Sequence, residues 1–185
     1  MNLPEVNVSC EELYRMLYAP IKAKLMMSGI ELNVFNQLSE PKSAEEVAKE
    51  IRGQSRNTML FLNGLAACGL IEKHNGLYRN APIAQAFLVE GSPTYLGEGF
   101  AHQASMTDAM LANLTKMIRE GPPAKPPEDD ADPQKWSQFA SWMANNERAG
   151  IAQQMSELIS LQPEFASFRK MLDLGGGPGI FGISM

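Results

Sequence analysis

Apolar residues recur at helical spacing through most of the chain. Over residues 11 to 38, Leu13, Met16, Leu17, Pro20 and Ile21 follow an i, i+3, i+4, i+7, i+8 stripe that Leu25, Leu32 and Phe35 prolong. Pro20 should open a new helix after a break. So long an apolar stripe needs a cover, either the chain's own core or a second copy of the chain, and the pattern alone favours the first. Beyond Glu40-Pro41, Ser43 followed by Glu46 is a capping box opening a short helix with Val47 and Ile51. Ser55 is a second candidate cap, for a helix with Met59, Leu62, Leu65 and Ala66 on one side and Gly69 as its stop. Leu70 to Lys73 and Leu77 to Arg79 then flank His74-Asn75-Gly76, an Asn-Gly hairpin signal. Three helices and a hairpin in this order predict a winged helix.

The second half continues in helices. Pro93 to Arg119 carries Leu96, Phe100, Met106, Met110, Leu111, Leu114 and Ile118, with Gly97 and Gly99 weakening its first turn. His102 lies inside it, where a packed or surface role is the simpler reading. Gly121 to Pro133 holds five prolines and the acids Glu128, Asp129, Asp130 and Asp132. It predicts a loop or linker whose carboxylates are solvated rather than gathered on a metal. Asp132-Pro133 supplies a cap and first-turn proline for the long helix WSQFASWMANNERAGIAQQMSELISL. Phe139, Met143 and Glu147 share one face of it, with Met155 and Leu158 farther along. After Pro163 the segment EFASFRK leads into a predicted strand, Met171 to Leu174.

Composition adds limits. The chain has 185 residues, 44% hydrophobic and 20% charged, with a net charge of -5. That is ordinary globular composition, with enough length for one good core and part of another. The negative balance argues against nonspecific nucleic-acid binding. No apolar run approaches membrane-spanning length and the N-terminus lacks a signal pattern, so the expected compartment is the cytoplasm, with no membrane partner. Cys10 and Cys68 form no C-x-x-C pair and read as plain thiols. A winged helix raises the alternative of a DNA-binding transcriptional regulator. Between Ser55 and Gly69, however, the polar candidates for reading bases are only Arg56, Asn57 and Asn63. Lys73, His74 and Arg79 on the hairpin suit phosphate or a solvated turn equally.

The richest chemistry lies in the last fifteen residues, MLDLGGGPGIFGISM. Glycines let backbone approach a ligand closely, and a helix start offers unpaired N–H groups. A dinucleotide fingerprint G-x-G-x-x-G beginning at Gly175 would need glycine at 180, where Ile180 stands. A phosphate loop fits Gly177 and Gly182, but Ile183 occupies the lysine position. What remains is D-x-G-x-G-x-G: Asp173, Gly175, Gly177 and Gly179. This resembles motif I of the Rossmann-like S-adenosylmethionine-dependent methyltransferases, a resemblance that makes these four residues the expected cofactor contacts.

A second resemblance is carried by SGIELNVFNQLSEPKSAEEVAKEI, from Ser28, and RNTMLFLNGLAACGLIEKHNGLYRNAPIAQAFL, from Arg56. These runs are similar to the N-terminal domain of O-methyltransferases of the caffeic acid and acetylserotonin (hydroxyindole) type, and the likeness extends from about residue 12 to 182. It implies a mainly α chain: a winged-helix dimerisation domain over 1–120, a linker and connecting helices over 121–168, and the first strand and glycine loop of a truncated Rossmann-like methyltransferase domain over 169–185. It implies a homodimer through the N-terminal helices, which reverses the preference for an internal cover, and a small-molecule acceptor, expected to be a small aromatic methylated on a hydroxyl. Phe139 and Met143 match the family's acceptor-pocket positions. Glu147 stands where the family has a small polar residue near the cofactor, so that contact is not carried over. The family's histidine base has no counterpart here, so no catalytic residue and no metal ligand is assigned. The chain alone is expected to be inactive, with little or no affinity for the methyl donor.

Overall fold

The computed structural model describes residues 5–122 and 133–185. The chain divides into two compact units, Met1–Gln85 and Ala86–Met185.

The first unit begins with α1, Glu11–Glu31. The break expected at Pro20 is absent, and α1 runs through it. Residues 11 to 24 are all exposed, so water can satisfy the carbonyl that the missing proline N–H would have bonded. Only the end of α1 enters the core, at buried Gly29. There a methyl would lie 2.8 Å from Phe35 Cε2, so the absence of a side chain admits the Phe35 ring. Asn33 at φ 56° turns the chain into α2, Val34–Gln37, with Val34 and Phe35 buried.

The capping box forms as expected. Glu46 N–H donates to Ser43 Oγ at 3.3 Å, and Ser43 N–H donates to Glu46 Oε2 at 2.8 Å, opening α3, Ala44–Glu50. These bonds to Ser43, backbone first and hydroxyl second, hold the Glu46 carboxyl below its ordinary value. Ser55 is not a cap. Gln54 takes that position in extended conformation, and Ser55 is the first residue of α4, Ser55–Ala67. Leu62 and Leu65 of α4 are fully buried, and Gly69 follows its end at φ 75°.

β1, Lys42–Ser43, β2, Ile71–His74, and β3, Leu77–Asn80, form an antiparallel sheet in the order β1-β3-β2. Asn75 and Gly76 turn the hairpin with φ of 50° and 81°, the left-handed pair that a two-residue loop demands. Tyr78 and Ile71 point into the core with Leu38 and Val47. Asn80 fastens the hairpin inside: its N–H donates to Leu38 O at 2.9 Å and its Nδ2 to Phe35 O at 2.7 Å. α5, Pro82–Phe87, leads out of this unit.

The second unit contains α6, Gly97–Ala112, α7, Leu114–Glu120, and α8, Pro133–Asn146. The acids Glu128 to Asp132, and with them the expected cap at Asp132, lie outside the described residues. The single long helix expected from residue 136 is interrupted. It kinks within Glu147–Ile151, where Gly150 at φ 120° leaves helical geometry, before α9, Ala152–Ser160. Apolar spacing does not reveal such a kink, because the stripe resumes beyond it. α10, Ile180–Ser184, packs on α9 and on the kinked segment before it. Ser156 Oγ and Ser184 Oγ lie 2.7 Å apart across the α9–α10 contact.

The strand expected over Met171 to Leu174 is also absent. Among the described residues no segment pairs with it, and Leu172 and Leu174 are 79% and 83% exposed. A strand exists only where a neighbour takes its N–H and C=O groups, and every described strand belongs to the first unit.

Candidate functional site

The glycine run has the backbone its spacing implies. Gly175, Gly177 and Gly179 have φ of 73°, 50° and 75°, whereas Gly176 between them does not enter this region. Side chains are strained there, so the three motif positions are the ones that need glycine. Nothing lies within 4 Å of a methyl built on Gly175 or Gly179, which leaves an open backbone cradle. The Asp173 carboxylate bends over the loop: a methyl on Gly176 would meet Asp173 Oδ2 at 2.6 Å, and one on Gly182 would meet it at 3.7 Å. Gly179 N–H closes the turn on Gly176 O at 2.7 Å.

Of the two residues expected at an acceptor pocket, Met143 reaches this loop. A methyl on Gly177 would lie 3.6 Å from Met143 Cε. Phe139, one helical turn earlier, faces a different space. It lines a cleft of about 700 Å³ between α6 and α8, with Glu98, His102, Trp136, Trp142 and Asn145. Trp136 and Phe139 meet edge-on at 6.1 Å, and Phe139 and Trp142 are tilted at 5.6 Å between centroids. The Trp142 indole rests on the backbone of Gly99, where any side chain would collide with it. Gly99, read from sequence as a weakness in the helix, is thus what lets the aromatic row pack. The row itself was legible in Trp136, Phe139 and Trp142 at intervals of three, a signal the helical stripe concealed.

Glu147 was set aside in the sequence and is conspicuous in the structure. It is 4% exposed, and its Oε2 is buried with no hydrogen-bond partner among the described residues. Leaving such a bond unmade costs about 1–3 kcal/mol. It lies four residues beyond Met143, on the same helical face.

Started at Gly177, the run Gly177-Pro178-Gly179-Ile180-Phe181-Gly182 does satisfy G-x-G-x-x-G. Spacing by itself therefore leaves a dinucleotide open. The sequence over residues 14–90 matches the family described as the O-methyltransferase dimerisation domain. Residues 14–90 are an O-methyltransferase dimerisation domain. The chain is 30% identical over 168 residues to the N,N-dimethyltransferase OxyT of Streptomyces rimosus, covering 85% of this chain and 47% of that protein. It is 29% identical over 174 residues to acetylserotonin O-methyltransferase of Mus musculus, covering 85% and 44%. Its fold is similar to human N-acetylserotonin methyltransferase solved in complex with SAM (S-adenosylmethionine). There the TM-score is 0.73 at 21% identity, covering all of this chain and 57% of the other. The chain spans about half the length of the relatives it matches.

The dimerisation domain gives the DNA-binding alternative no support, and its surface chemistry agrees. Asn63 Oδ1, in the helix that would read bases, accepts from Lys73 Nζ at 3.0 Å and from Tyr78 Oη at 2.9 Å. Arg79 is paired with Glu72 at 2.6 Å. Asn63, Lys73 and Arg79 are thus already engaged by other side chains. On α1, Leu13, Met16, Leu17 and Ile21 stand exposed. No helix among the described residues is long and apolar enough to cross a membrane.

Proposed function

We propose that this chain is the dimerisation, acceptor-binding and donor-loop portion of an S-adenosylmethionine-dependent methyltransferase that methylates a hydroxyl of a small aromatic acceptor. The observation that carries the reading is the loop: an acid followed by three alternate glycines, all with left-handed backbone, with the Met143 methyl against the middle one. Asp173, Gly175, Gly177 and Gly179 hold the methyl donor in this reading, and the open faces of Gly175 and Gly179 fit a ligand lying along bare backbone. When bound, the donor supplies an electrophilic methyl on a sulfonium. Met143 borders the donor, and Phe139 with its aromatic neighbours orients a planar acceptor and excludes water. Likeness to an N,N-dimethyltransferase favours an amine as the second choice of acceptor.

The β1-α3-α4-β2-β3 order, with the hairpin beside β1, supports a winged-helix arrangement. The glycine loop supports a Rossmann-like domain beginning near residue 169. The bare apolar face of α1 supports a homodimer through the N-terminal helices. Two free thiols, Cys10 and Cys68, accord with a cytoplasmic setting.

In this reading the 185-residue chain by itself is not expected to turn over, because among the described residues no sheet stands behind the loop to preorganise it. The test is ligand-observed NMR with S-adenosylhomocysteine. Weak, millimolar-range binding that disappears in Gly177→Val is expected. Micromolar or tighter binding overturns the claim of poor preorganisation, and saturable binding of NAD instead overturns the donor assignment.

A further inference from the structure

The methyltransferase reading leaves one costly group unused. Glu147 is buried to 4%, and its Oε2 has no partner among the described residues. It opens the segment Glu147–Ile151, in which the helix kinks at Gly150. Three features set that segment beside the glycine loop. Met143, four residues earlier on the same face, touches Gly177. The segment packs against α10, which follows the loop directly. Gly150, at φ 120°, kinks the helix between Met143 and α9, and α9 in turn packs on α10. A carboxylate taken out of water with an oxygen left bare is sustained by a cation or a strong donor, or else it is replaced in evolution by something cheaper. The neighbouring Arg148 does not serve, since its guanidinium bonds Asn145 Oδ1 on the exposed side.

We propose that Glu147 binds a primary ammonium group of a small molecule seated at the glycine loop. The inference rests on the methyltransferase reading. Two molecules in that reaction can present such a group: the methyl donor, through the α-amino group of its methionine portion, and an amine acceptor. The chemistry at Glu147 is the same for both, a charge-assisted N–H···O bond in a site with little competing water.

The experiment uses the 185-residue chain, its isosteric variant Glu147→Gln and its apolar variant Glu147→Met. Three probes are titrated by ligand-observed NMR: S-adenosylhomocysteine, 5′-methylthioadenosine, which keeps the nucleoside and sulfur but lacks the amino-acid end, and benzylamine, an amine without a nucleoside. Wild-type protein is expected to prefer S-adenosylhomocysteine to 5′-methylthioadenosine by about tenfold, and Glu147→Gln to bring that ratio near one while leaving 5′-methylthioadenosine unchanged. If instead benzylamine alone loses its binding in Glu147→Gln, the ammonium is the acceptor's and the proposal stands on that source. Thermal unfolding without probe gives the readout that a merely structural role would not produce. Both variants should melt at or above the wild-type temperature, because each removes a bare buried carboxylate. Lower melting in both variants with unchanged probe selectivity overturns the proposal and makes Glu147 a structural residue. Binding of 5′-methylthioadenosine with no selectivity in the wild type sinks Glu147 alone, whereas failure of every nucleoside probe sinks the methyltransferase reading with it.

Discussion

The contact between Gly29 and Phe35 sets two effects of known size against each other. Replacing Gly29 by alanine inside α1 should stabilise the helix by about 1 kcal/mol, because glycine is the poorer helix former. The new methyl, however, would lie 2.8 Å from Phe35 Cε2 and 2.9 Å from Cζ, closer than side chains approach. Phe35 is 1% exposed and has little room to retreat. Overpacking of this kind costs about 1–3 kcal/mol. Gly29→Ala should therefore destabilise the chain by roughly 1 kcal/mol net, read from urea unfolding followed by far-ultraviolet circular dichroism. The control is the same substitution in a Phe35→Leu background, where the clash is relieved and Gly29→Ala should become neutral or stabilising by up to about 1 kcal/mol. A stabilising Gly29→Ala in the wild-type background, or the same effect in both backgrounds, refutes the argument that the glycine exists to admit the ring.

Charge on the exposed stripe of α1 should dissolve the proposed dimer. Leu17→Glu with Ile21→Glu is expected to shift micromolar protein to monomer in light scattering with little loss of helix signal, whereas a wild-type monomer at that concentration counts against the homodimer. The Glu46 carboxyl titrates below its ordinary value of 4.5, so its contribution to stability is full above 4.5 and lost as pH falls. Ser43→Ala should thus lower the melting temperature at pH 7, and the deficit should shrink in acid. Tyr95 is held above its ordinary value of 10.0, first by burial and then by Glu90 and Glu98. Its contribution is complete below pH 10 and is lost as pH rises further, so Tyr95→Phe should unfold less steeply than wild type in alkaline denaturation. Gly99→Ala should expel the Trp142 indole from its seat, seen as a red shift of tryptophan emission, since both tryptophans of the chain line the same cleft.

Local chemistry was readable wherever a few neighbouring residues decide the outcome. The Ser43–Glu46 box, the Asn75-Gly76 turn, the stop at Gly69 and the need for glycine at 175, 177 and 179 follow from backbone preferences that act within four residues. Tertiary structure decided the rest, because it depends on what a distant segment offers. Pro20 stays inside a helix because nothing among the described residues buries that stretch and water can serve its orphan carbonyl. Met171 to Leu174 is not a strand because no described neighbour takes its hydrogen bonds. Met143 and Phe139 share a stripe, yet one meets the glycine loop and the other an aromatic cleft, since α10 and α6 approach different parts of the same helix. The burial of Glu147 is the clearest case. A charged residue among polar neighbours reads as solvated, and only the packing of the segment that carries it removes its carboxylate from water.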